Sequence, residues 1–206
     1  MKLNVVPAST GLSWVKLGVK TFFRQPLAMS GLFFMFMAVV SVLSVVPFMG
    51  TAVSLALVPA ATVGLMAASR EALAGRFPMP VLLLTAFRSG QDRARAMLIL
   101  GGMYAGALLL VLGIAALLGP AGGTPVPVPD GEVTPEAMRT AFVSQGMWVA
   151  MLAYVPVLMA FWHAPALVHW HGVTPVKSLF FSAVVCFKNA GAYLLFGITW
   201  MAVLML

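Results

Sequence analysis

The sequence predicts an all-α fold, a polytopic transmembrane helical bundle, on three observations. Of the 206 residues, 62% are hydrophobic and 8% charged, where a soluble domain carries about 25% charged residues. Five apolar runs recur at 27–46, 51–68, 96–118, 142–162 and 190–206, and none contains an ionisable side chain. At ~1.5 Å per residue, about 20 such residues cross ~30 Å of hydrocarbon. The runs are joined by short polar stretches in which the cations sit on alternate sides. No composition shift marks a boundary between soluble domains, so 1–206 reads as a single integral membrane domain.

Segment 11–25 predicts a helix lying flat at a membrane surface. Leu12, Trp14, Val15, Val19, Phe22 and Phe23 share one face at helical spacing, and Lys16, Lys20 and Arg24 line the other. It leads directly into the first span, 27–46, which is expected to remain as an anchor because no small-residue cleavage site follows it. Pro47 and Gly50 then make a tight turn, since proline cannot continue the helical ladder and glycine permits the reversal. In the second span, Ala52, Ala56, Ala60, Gly64 and Ala68 recur every four residues. In lipid such a strip is where a neighbouring backbone approaches. Pro59 is expected to kink this helix.

Segment 80–89 is a second surface-helix candidate, opening on Pro80 and capped near Gly90, with Arg88 facing head groups. The third span carries Gly102 and Gly106 spaced as G-x-x-x-G, read as packing within the chain, with homodimerisation the minority reading. The prolines of 119–130 predict an extended loop, and Thr134 with Pro135 reads as a helix start. The fourth span contains Pro156. A third surface helix is expected at 174–189, with Val176, Leu179, Phe180, Ala183 and Phe187 on its apolar face. Lys177, Ser178, Ser182, Lys188 and Asn189 form its polar face, though Phe181 and Val185 intrude on it, so partial cover by protein is expected. The unit of surface helix plus span thus occurs three times, and a sixth span completing the third hairpin is expected beyond 206.

Charge placement sets the expected topology. Eleven of the twelve Lys and Arg residues fall before the first span, between the second and third, or between the fourth and fifth. Only Arg139 lies on the other side, with Asp130, Glu132 and Glu136. The positive-inside rule then places the cationic side, and the N-terminus, in the cytoplasm of a multi-pass protein. The net charge of +7 therefore implies anionic lipid, not nucleic acid. A single cysteine, Cys186, excludes an internal disulfide and a Cys-pair metal site.

The five acidic residues are scattered over loops on both sides, and no nucleophile–base or phosphate-loop motif accompanies them. An enzyme is not expected, and no cofactor is implied. The lack of ionisable groups in the spans disfavours proton-coupled transport. Histidines 163, 169 and 171 are the only clustered ligand types. His169 and His171 are weak metal candidates, because they fall on different helical faces and alternate with Trp162 and Trp170, which suit an interface. The expected lipid head-group contacts are Lys16, Lys20, Arg24, Arg88, Lys177 and Lys188. The reading is a non-enzymatic subunit of a membrane assembly or an anionic-lipid-interacting scaffold, with a membrane-protein partner or second copy as a further expectation. The alternative is a transporter or permease-like subunit for an apolar or amphiphilic solute.

The run from Ala164 to Ser182, which includes His169-Trp170-His171-Gly172-Val173-Thr174-Pro175, resembles the signature of an uncharacterised family of small polytopic inner-membrane proteins of proteobacteria. The opening, Trp14-Val15-Lys16 through Phe22-Phe23-Arg24-Gln25-Pro26, is similar to that family's start. The resemblance implies a six-helix protein somewhat longer than this chain, and it implies no activity or substrate.

Overall fold

A computed structural model describes residues 3–47, 49–118 and 145–205. The expected loop at 119–130, the helix start at Thr134, the acidic side with Arg139 and the opening of the fourth span at 142–144 lie outside them. Every regular element among the described residues is helical. In order these are α1 (Thr10–Arg24), α2 (Pro26–Ser44), α3 (Gly50–Leu73), a 3-10 helix (Pro80–Phe87), α4 (Gln91–Leu117), α5 (Gln145–Phe161), α6 (Ala164–His171), α7 (Pro175–Lys188) and α8 (Ala190–Leu204). Among the described residues four stretches are long and apolar enough to cross a bilayer: α2, α3, α4 and Gly146–His171. A fifth candidate is α7 with α8, bent by 80° between them.

Helices α3 and α4 form the centre. A Cβ at Gly101 would run into the carbonyl oxygen of Ala56, so the two backbones touch where one side has no side chain. The buried cluster of Ala60, Val63, Ala86, Met97, Leu100, Ala164 and Val168 joins α3, α4, α6 and the 3-10 helix. Water does not drive helices together inside lipid, so close packing must, and small residues allow it. The α3 strip serves this purpose: Ala60, Gly64 and Ala68 are buried, and Ala72 extends it by one turn. Gly102 and Gly106 do not. A Cβ at either would meet nothing within 4 Å, which corrects their expected packing role. The face turned inward is Gly101 with Ala105, one residue away.

The 3-10 helix does not simply rest on a surface. It docks on α3 at Gly64, where a Cβ would stand 2.7 Å from Leu83 Cα. Between α2 and α3, the Ser54 hydroxyl lies 3.2 Å from that of Ser44 and 3.3 Å from the Val40 carbonyl oxygen. Thr62 instead bonds back to Val58 in its own helix.

Helix α1 pairs with α8, about 180 positions away along the chain. The Val6 amide donates to Asn189 Oδ1 at 2.8 Å, Gly11 lies against Ala192 and Phe196, and Gly18 faces Trp200. The pairs advance together along both helices, so the two run in the same direction. The apolar face expected to enter lipid is therefore divided. Val15 is buried and Trp14 packs on Tyr193, whereas Leu12 and Phe23 stay exposed.

Helix α7 keeps expected apolar residues outward but buries part of its expected polar face. Ser178 and Ser182 are fully buried, with Cys186 beside them, while Val176, Phe180 and Phe187 are each more than 60% exposed. Lys177 and Lys188 remain exposed as expected, but Ser178, Ser182 and Asn189 leave the polar face and turn inward. The Ser182 hydroxyl donates to the Met159 carbonyl at 2.7 Å and accepts from the His163 amide at 2.9 Å. Small hydroxyls let α7 approach α5, and exposed phenyl rings are at no disadvantage where the solvent is hydrocarbon.

Candidate functional site

The cations gather where α1 ends, where α3 meets the 3-10 helix and where α4 begins. Antiparallel packing of α2, α3 and α4 brings these points to one end of the bundle. Arg24 Nη1 donates to the Leu73 carbonyl oxygen at the exposed end of α3, and Gln25 donates to the Arg76 carbonyl at 3.0 Å. These bonds tie α1 to α3. Arg93 donates to the His169 carbonyl at 2.9 Å, and Arg70 lies 5.8 Å above the Trp170 ring. Arg76 and Glu71 make the one ion pair among the described residues, at 2.5 Å. The hydrogen bond to Glu71, then its charge, raises the Arg76 pKa above the ordinary guanidinium value.

Of the six expected head-group cations, Arg24 is thus committed to protein. Lys16, Lys20, Arg88, Lys177 and Lys188 are exposed and make no ion pair among the described residues. Lys16 and Lys20 lie beside the exposed Leu12 and Phe23 on α1, so charge and grease face outward together. That arrangement suits a bilayer surface, where apolar side chains enter the acyl boundary and ammonium groups meet phosphate.

The histidines are not brought together as a metal pair. His169 is buried at 4% exposure and His171 is exposed, on different sides of α6. Among the described residues no three His, Cys, Asp or Glu side chains gather around a common point. His169 Nε2 lies 3.5 Å from the Ser89 hydroxyl, and its Nδ1 has no partner in the described protein. Its carbonyl, held by Arg93, anchors α6 to α4. The pairing the structure does show is His163 with His171, which border one cavity between α6, α7 and the N-terminal segment. Sequence spacing gave no sign of it, because α6, a helix of eight residues, was not expected. The Pro165 start and the Gly172 cap, at φ 64°, were the available signals.

Spans of this length, packed through glycine and alanine with cations at one end, define a polytopic integral membrane protein. The chain is 39% identical over 207 aligned positions to a probable inner membrane protein of Burkholderia thailandensis, covering 98% of this chain and 76% of the relative. It belongs to that protein's family of inner-membrane proteins. No family model matches the chain, and no solved structure matches it.

Proposed function

We propose that this protein is a non-enzymatic component of the bacterial inner membrane that holds anionic phospholipid at its cationic end, with the N-terminus and that end in the cytoplasm. The observation that carries the reading is the outward face of α1. There Lys16 and Lys20, unpaired among the described residues, adjoin exposed Leu12 and Phe23, while the opposite face is fastened to α8 and α3. A helix held rigidly by protein presents its charges without further ordering cost. The positive-inside rule supplies the orientation.

The test is lipid retention by the full chain. Lys16→Gln with Lys20→Gln removes two charges and leaves Arg24 on its Leu73 carbonyl. Each ammonium near an anionic surface contributes about 1 kcal/mol, so anionic-lipid preference is expected to fall about thirtyfold. Phospholipid co-purifying from inner membranes would be measured by mass spectrometry against the unaltered protein. Unchanged enrichment in phosphatidylglycerol and cardiolipin would count against α1 as the contact.

The second reading, a permease-like subunit for an apolar or amphiphilic solute, draws on a cavity of about 340 Å³ between α3, α4 and α5, lined by Pro59, Tyr104 and Tyr154 among others. Two prolines inside spans and two phenols facing a cavity suit passage of a weakly polar solute. Solute flux in proteoliposomes that stops with Pro59→Ala would favour it over the scaffold.

A further inference from the structure

A cavity of about 670 Å³ opens between α6, α7 and the N-terminal residues. Its walls are apolar, with Phe180, Phe181, Val184 and Val185 from α7 facing Ala166 and Leu167 from α6. The polar groups that reach it are His163, His171 and Asn4. We propose that this cavity seats one acyl chain of an anionic phospholipid, with the phosphate at His171 and Lys177. This rests on the preceding reading and adds a defined seat beside the α1 surface.

The volume lies within the range of about 300–1,000 Å³ typical of ligand pockets, and the pattern of apolar walls with few convergent polar groups is theirs as well. The charged side chains of α6 and α7 have one sign. Lys177, Phe181, Val184 and Lys188 follow one another at intervals of four, three and four residues, so both lysines lie along the helical stripe that lines the cavity. Both are exposed and unpaired among the described residues. Neither α6 nor α7 contains an acidic residue, so the rim favours an anion and nothing within these helices neutralises it. His171, exposed at the end of α6 next to Trp170, adds an imidazole at the level where an interfacial ring would settle.

The site is also built in advance. Its N-terminal wall is held by Asn189, a buried residue at the joint between α7 and α8. Asn189 Oδ1 accepts from the Val6 amide at 2.8 Å, and Nδ2 donates to the Asn4 carbonyl at 3.1 Å. His163 Nε2 is fixed by a hydrogen bond to the Tyr193 hydroxyl. The seat therefore needs little rearrangement to receive a chain.

The test uses the full chain in phosphatidylethanolamine vesicles that carry a minor share of phosphatidylglycerol with a diazirine at the end of one acyl chain. After irradiation, peptides are mapped by mass spectrometry. Label is expected to concentrate on 166–167 and 180–185, several-fold above the lipid-exposed α2. His171→Gln with Lys177→Gln should reduce it several-fold, and Ala166→Trp should abolish it. A phosphatidylethanolamine carrying the same diazirine should label 180–185 no more than α2. Helical circular dichroism and a monodisperse elution establish that each variant folds; should Ala166→Trp fail there, the His171 and Lys177 pair decides. Equal labelling by the two lipids at 180–185, or label spread evenly over α2 and α7, would overturn the seat. If phosphatidylglycerol enrichment persists but depends on Lys16 and Lys20 alone, the seat is wrong and the broader reading stands. If the protein shows no preference for phosphatidylglycerol at all, both fail.

Discussion

Gly101→Val is expected to force α3 and α4 apart and to destabilise the bundle more than any other single change in the spans. The obstacle is main chain: the added Cβ would collide with the Ala56 carbonyl oxygen and stand 3.0 Å from its carbon. A flexible side chain could swing aside, but a helix carbonyl cannot without moving its helix. Overpacking in a close-packed interior costs about 1–3 kcal/mol and occasionally more, and here both central helices must shift. A melting temperature in detergent lower on the order of 10 °C is the expected result. Gly102→Val and Gly106→Val are the controls, because open space surrounds both positions. They should melt within a few degrees of the unaltered protein, and equal losses at all three sites would show that the change reports helix propensity and not the α3–α4 contact.

Gly11→Val has the second large effect, and it is local. A Cβ there would meet the Ala192 carbonyl oxygen and stand 2.8 Å from the Phe196 amide nitrogen, so α1 must leave α8. With α1 go the packing of Trp14 on Tyr193 and Phe196, at ring separations of 5.3 and 6.3 Å. The expected readout is a several-fold faster tryptic cut at Lys16 and Lys20, together with faster amide exchange in α8. The central cluster of α3, α4 and α6 shares no residue with this contact, so exchange in α4 should be unaltered. Protection lost evenly over the whole chain would contradict a separable α1–α8 unit.

These two glycines show where the sequence was readable and where it was not. Apolar runs announce themselves, and all-helical architecture follows from the need to satisfy every backbone group inside lipid. The small strip on α3 was legible because five residues kept register over four turns. Choosing between Gly101 and Gly102 was not, since adjacent glycines lie about 100° apart and only the partner helix decides between them. In α7 the apolar face with Phe180 and Phe187 was legible, but Ser178, Ser182 and Asn189, expected on the polar face, turn inward. The spacing of Ser178, Ser182 and Cys186, every fourth residue and all small, was the signal that marks its inner face. The α1–α8 pairing joins residues too far apart for any local pattern to report. The shared cavity of His163 and His171 needed the turn at Gly172 to be recognised first.

The proposed orientation requires the cationic belts to lie together in the cytoplasm. The direct measurement is thiol labelling in intact cells, in a Cys186→Ser background, of a cysteine placed at Gln91, exposed at the start of α4, and of another at Gly122. A membrane-impermeant maleimide is expected to label the Gln91→Cys protein only after the inner membrane is opened, and the Gly122→Cys protein before. The reverse pattern would turn the protein over and contradict the account.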